Sequence, residues 1–166
     1  MIQLVLIVVH AGAAVVAFAV GTTLLFSPRS SANVARLRTY AIAMAVSMAA
    51  LFTVVAYDWT ALSPPKRVVF AGLAVLGVVL IVRTLLAVRL AQARPADWAE
   101  RFLAHLGFVL ISLFDGFCIV LAFDLRLPVW AIVGAGVVGV LAGVFATKVA
   151  IRRASEPIVP ARQKMS

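Results

Sequence analysis

Hydrophobic residues in this chain come in long unbroken runs rather than in strand-like alternation. Five runs stand out, at 2–26, 39–57, 68–90, 103–123 and 128–151. Each is close to or above the roughly 20 residues a helix needs to cross about 30 Å of hydrocarbon. A segment inside lipid must satisfy its own backbone groups, which helices do and open strands do not. Continuous apolarity also disfavours a β-barrel, whose strands alternate. Polar stretches separate the runs: SPRSSANVARLR, DWTALSPPKR, AQARPADWAER and the short DLRLP. The pattern predicts an all-α integral membrane protein, a five-helix bundle forming one transmembrane domain over 1–151. Residues 152–166, RRASEPIVPARQKMS, hold two prolines and few large apolar side chains, and are expected to form a flexible basic tail. The first run lacks a basic n-region and a convincing A-x-A end, so it is expected to stay as a helix.

Composition agrees with the pattern. Of 166 residues, 64% are apolar and 13% charged, against about 45–50% and about 25% in soluble domains. Mean hydropathy is +1.13. A net charge of +9 taken alone points to nucleic acid, but its distribution says otherwise. Lys66, Arg67 and Arg126 fall on the side of the N-terminus, and the other twelve of the fifteen basic residues fall on the opposite side. The positive-inside bias then predicts a multi-pass protein of the cell membrane with its N-terminus outside and C-terminus cytoplasmic. The basic excess becomes a cytoplasmic skirt that attracts anionic headgroups, at about 1 kcal/mol per residue near the surface. Tyr57, Trp59 and Trp130 fall at the outer boundary of this scheme and Trp98 at the inner one.

Against that background, polar residues inside the runs carry the chemistry. Asp115 sits in ISLFDGFCIVLAF, about twelve residues or roughly 18 Å from the start of its run. His10 lies about eight residues into an oppositely directed run, so both are expected roughly 12 Å below the outer boundary. A His10–Asp115 pair follows if the first and fourth helices touch. His105, Phe108, Ser112 and Asp115 share one face of the fourth helix at spacings of three and four. Ionisable groups at such depth are costly, so they mark structural locks, proton pathways or binding sites. Arg83, near the cytoplasmic end of its run, is expected to snorkel to the headgroups. His105 is expected at the interface, and Cys118 as a small buried apolar residue.

Helix association in lipid depends on small residues and interhelical polar contacts. Candidate packing faces are Ala135, Gly139 and Gly143 in the fifth run, Ala41, Ala45 and Ala49 in the second, and Ala14, Ala17 and Gly21 beside His10 in the first. One cysteine excludes an intrachain disulfide, and two histidines with one cysteine offer no metal cluster. No cofactor is expected. A bis-histidine haem is disfavoured, because His10 and His105 fall near opposite sides of the membrane.

Three segments carry a resemblance: a first-helix histidine followed by AGAAVVAFAVG, a basic loop leading into RLRTY, and RFLAHLGF opening the fourth helix. Their order resembles a bacterial family of small polytopic membrane proteins of unknown function. The resemblance implies four or more helices and no known activity. Three functions fit the sequence. The leading one is a non-enzymatic subunit or assembly component, a homo-oligomer or part of a larger membrane complex, associating through Gly/Ala faces. The second is a small oligomeric transporter or channel moving protons or a cation through Asp115 and His10. The third is a membrane-embedded enzyme or lipid/cofactor binder, for which no catalytic constellation is present.

Overall fold

A computed structural model of the chain describes residues 1–27, 33–125 and 127–155. They form five helices: α1 (Ile2–Phe26), α2 (Asn33–Asp58), α3 (Pro64–Ala93), α4 (Trp98–Asp124) and α5 (Val129–Ser155). Each contains a stretch long and apolar enough to cross a membrane. Among the described residues there is no strand. Helices α2, α3 and α4 begin several residues before their apolar runs, because a nucleated helix propagates through polar residues until something stops it. The expected tail is partly helical too. Helix α5 runs on to Ser155, with Arg152 and Arg153 in its last turn, where cations favour the helix dipole. The rest of that tail, 156–166, lies outside the described residues.

Local chemistry sets the turns. Helix α3 starts after Ser63 in extended conformation, with prolines in its first turn, where no intrahelical hydrogen bond is lost. Arg67 fastens that start to the preceding turn, donating from Nε to the Trp59 carbonyl and from Nη2 to the Thr60 carbonyl, both at 3.0 Å. At the other end of α3, Arg94 adopts the left-handed conformation (φ 46°, ψ 52°) and donates its backbone N–H to the Leu90 carbonyl. Pro95 follows and prevents the helix from continuing. The Arg94 guanidinium then lies 5.5 Å from the Trp98 ring centroid, at the start of α4.

Sequential helices run antiparallel. Helices α1 to α4 close a ring, each touching the next and α4 returning to α1. Helix α5 lies outside the ring, mainly on α4 with a small contact to α1, and does not touch α3. At the middle of the ring, Gly21 of α1 lets Leu110 of α4 and the fully buried Tyr40 of α2 come close. A Cβ built on Gly21 would stand 2.7 Å from Leu110 Cδ2 and 3.2 Å from Tyr40 Cε2. The Tyr40 hydroxyl in turn meets Thr84 Oγ1 of α3 at 3.4 Å. Four helices thus converge on one small contact.

The main core cluster occupies one end of the bundle, although Ala50 and Val55 of α2 are buried outside it. Its residues are Ala17 to Leu25 of α1, Tyr40 to Met48 of α2, Leu80 and Ala87 of α3, Phe102 to Leu110 of α4, and Ala150 and Ala154 of α5. Toward the end that holds the N-terminus, no described side chain of α1 before Ala17, of α3 before Gly77, of α4 after Leu110 or of α5 before Gly139 is buried. One stripe of α4 shows the gradient directly. Leu103, Leu106, Leu110, Leu113 and Phe117 recur at spacings of three and four and share a face. The first two are 0% exposed, Leu113 is half-buried, and Phe117 is 60% exposed. The ring is closed at one end and open at the other.

Gly21→Val is expected to lower thermal stability in detergent by the equivalent of about 1–3 kcal/mol, as overpacking does. Gly72→Val, where an added Cβ meets nothing within 4 Å, is the control and should leave the melting temperature almost unchanged.

Candidate functional site

The polar groups inside the helices fall into three separate places. The first joins α1 to α2. His10 Nδ1 lies 2.9 Å from the backbone oxygen of Ser47 and 3.0 Å from its Oγ, and Ser47 Oγ donates to the His10 carbonyl at 3.2 Å. A carbonyl oxygen only accepts, so Nδ1 carries the ring proton and Nε2 presents its lone pair. Ser47 is 0% exposed. Nearer the chain start, Gln3 Nε2 donates to Asp58 Oδ2 at 2.6 Å and ties the same two helices together.

The second place lies between α3 and α4. Arg83 Nη1 is 3.1 Å from His105 Nδ1. A guanidinium only donates, so here Nδ1 accepts and the proton sits on Nε2. The two histidines therefore hold opposite tautomers. The Arg83 guanidinium also lies 4.9 Å from the centroid of the Phe108 ring. Arg83 thus contacts its neighbour helix through both residues.

The third place is the seam between α4 and α5. Three contacts recur one turn apart: Gly107 against Thr147, Ile111 against Gly143, and Asp115 with Phe114 against Gly139. Asp115 Oδ1 is buried there and has no hydrogen-bond partner among the described residues. It stands 2.8 Å from the position a Gly139 Cβ would occupy, so the carboxyl group rests on bare helix backbone. Thr147 spends its hydroxyl on the Gly143 carbonyl of its own helix, at 2.8 Å.

His10 and Asp115 are not brought together, although α1 and α4 do touch. Gly21 lies against Leu110, and the Phe18 and Phe114 rings have centroids 6.4 Å apart. Carried along two antiparallel axes, this register sets Asp115 opposite Ala17, with His10 about seven residues or roughly 10 Å nearer the start of α1. The depths matched in the sequence because each was counted from the end of its own run, and α1 projects past the end of α4. By the same register His105 lies about sixteen residues, or roughly 24 Å, along the axis from His10.

The remaining candidates are spread out. Ser112 is half-buried and makes no side-chain hydrogen bond among the described residues. Ala14 is half-buried, Ala17 and Gly21 are buried, Gly139 is buried and Gly143 half-buried, while Ala135 is exposed. On α2 the small-residue face does not form the contact: Ala45 and Ala49 are exposed, and Tyr40, Met44, Ser47 and Met48 face the core. Cys118 is half-buried rather than buried. Among the described residues, no three His, Cys, Asp or Glu side chains gather to hold a metal.

Sequence reasoning passed over Ser47, Tyr40 and Thr84. Their signal was a lone hydroxyl within each apolar stretch, AMAVSMAAL for Ser47 and VVLIVRTLL for Thr84, on the face that also carries the large core residues. No protein-family model, curated protein or solved structure matches this chain. Its function has to be read from its own residues.

A double-mutant cycle on His10→Leu and Ser47→Ala should give a coupling of about 0.5–1.5 kcal/mol in detergent unfolding, near the range for interhelical hydrogen bonds in membranes. Additive effects would mean the contact contributes nothing. Gly139→Val should loosen α5 from α4, because its Cβ falls 2.8 Å from both Asp115 Oδ1 and the Phe114 ring. Faster proteolysis of α5 in that variant, with α1–α4 retained, is the expected outcome.

Proposed function

We propose that this chain is a non-enzymatic component of the cell membrane, N-terminus outside and C-terminus cytoplasmic, that assembles with a further transmembrane helix at its open half. The observation that supports this most is the exposure gradient on α4. Phe117 lies on the same face as the fully buried Leu103 and Leu106, yet is 60% exposed. A face continuous with a core, but uncovered, is suited to receive another helix, from a second copy or a larger complex. In lipid such docking draws on close packing and polar contacts rather than on hydrophobic force.

Asp115 is not part of this face. It lies two residues before Phe117, on the opposite side of α4, with its Oδ1 buried against Gly139 of α5 and without a hydrogen-bond partner among the described residues. Such a carboxyl group works against the stability of the chain. Transport through His10 and Asp115 ranks second, because the helix register separates them by roughly 10 Å along the axis.

A photo-crosslinking residue at Phe117, tested in intact membranes, should give an adduct heavier than the 17.6 kDa chain. The same residue at Leu103 should give none. Twice the chain mass identifies a second copy, and any other mass a different subunit. Reaction at Phe117 with lipid alone would overturn the proposal. Asp115→Ala should leave thermal stability of the isolated chain equal or higher, because it removes a buried oxygen that has no hydrogen-bond partner among the described residues, and it should leave the adduct undiminished.

A further inference from the structure

Among the described residues, Arg83 is a cation with no acid beside it. It lies within the apolar stretch of α3, about ten residues or roughly 15 Å from the end of that helix. Its neighbours are a neutral imidazole nitrogen at 3.1 Å and an aromatic face at 4.9 Å, and neither carries negative charge. Among the described residues the ion pair is elsewhere, between Arg101 and Asp97 at 3.6 Å. The guanidinium fork has five N–H donors, and His105 adds an Nε2–H beside it.

Apolar side chains flank it on the outer surface of the bundle. Helices α3 and α5 both rest on α4 without approaching each other, so among the described residues no helix covers α4 between them. Phe108 lies there, 37% exposed beside Arg83, with the half-buried Ser112 one turn further on. On α3, Val79 and Leu86 stand four before and three after Arg83, so they share its side, and both are exposed. A cation beside an exposed apolar surface is complementary to an oxyanion carried on a hydrocarbon chain.

We infer that Arg83, His105 and Phe108 form a binding site for one anionic phospholipid, its phosphate on the Arg83 guanidinium and an acyl chain along the exposed Phe108, Val79 and Leu86. This is distinct from the general attraction of anionic lipid to the basic end of the bundle. Arg89, Arg94 and Arg101 are exposed and lie nearer that end, where any acidic headgroup reaches them. Arg83 is deeper, and its tether to His105 holds it there, so the bound headgroup is drawn below the plane of its neighbours. Basic pockets between transmembrane helices bind acidic headgroups in this manner. The site requires no assembly partner and stands whether or not a helix docks at Phe117.

The test uses the full chain purified in mild detergent, with titrations of phosphatidylglycerol, phosphatidylcholine and inorganic phosphate followed by native mass spectrometry and thermal shift. Phosphatidylglycerol should form a one-to-one adduct and raise the melting temperature, and phosphatidylcholine and inorganic phosphate should do neither. Arg83→Gln should weaken phosphatidylglycerol binding about tenfold or more, which is about 1.4 kcal/mol, while Arg101→Gln changes it less than about twofold. Phe108→Leu keeps the charge and removes only the ring face. It should weaken binding by a smaller factor, and it covers the case in which Arg83→Gln fails to fold. Equal binding of both lipids, equal losses in the two arginine variants, no change in Phe108→Leu when Arg83→Gln cannot be purified, or protection by inorganic phosphate alone would each overturn the assignment.

Discussion

Between helices bathed in lipid no hydrophobic force favours contact over separation, so a bundle holds where backbones approach closely enough for dispersion and polar contacts to accumulate. Gly21 is where that happens for four helices at once. Its missing side chain seats the Tyr40 ring and the Leu110 methyl, and Tyr40 carries the contact on to Thr84. The α4–α5 seam repeats the device at Gly107, Gly139 and Gly143, each facing a larger residue across the gap. The rest of the architecture follows from these meetings. Core residues cluster around Gly21, and packing fades with distance from it.

Much of this was legible in the sequence, and for a physical reason. Lipid leaves only helices as open spanning structures, so run length and polarity are enough to count them. Helix ends were less legible, since α3 and α4 extend through polar residues that no membrane average includes. Small residues were an ambiguous sign. Glycines on α5 lie in a contact, whereas Ala45 and Ala49 of α2 face outward. Complementarity explains the difference: α1 brings the small residue to its contact with α2, so α2 brings the large ones, Tyr40 and Met44, and Ala45 and Ala49 are left for the exterior. A helical face read alone cannot say which partner supplies the bulk.

The polar residues show the same limit more sharply. His10, His105, Arg83 and Asp115 were all visible as departures from apolar sequence, but their partners depend on stagger between helices, which no single run encodes. His10 turns to a backbone carbonyl of α2, a group every sequence has and none advertises. The stripe His105–Phe108–Ser112–Asp115 looks like an inward face because polar groups usually hide from lipid. In the folded chain the large residues Leu103, Leu106 and Leu110 take the inside, and the stripe is divided: His105 meets Arg83 of α3, Phe108 is exposed, and Asp115 rests on Gly139 of α5.

The one-ended core has a mechanical meaning beyond any single contact. Helices α3, α4 and α5 are joined firmly at one end and loosely at the other, like prongs on a common base, while Gln3–Asp58 and His10–Ser47 keep α1 and α2 together toward the open end. Local contact density governs how easily a region opens, so the prongs move apart at little energetic expense while the base keeps its shape. The footprint of the protein is then nearly fixed in one leaflet and adjustable in the other. Lateral pressure in the two leaflets therefore does unequal work on the same molecule.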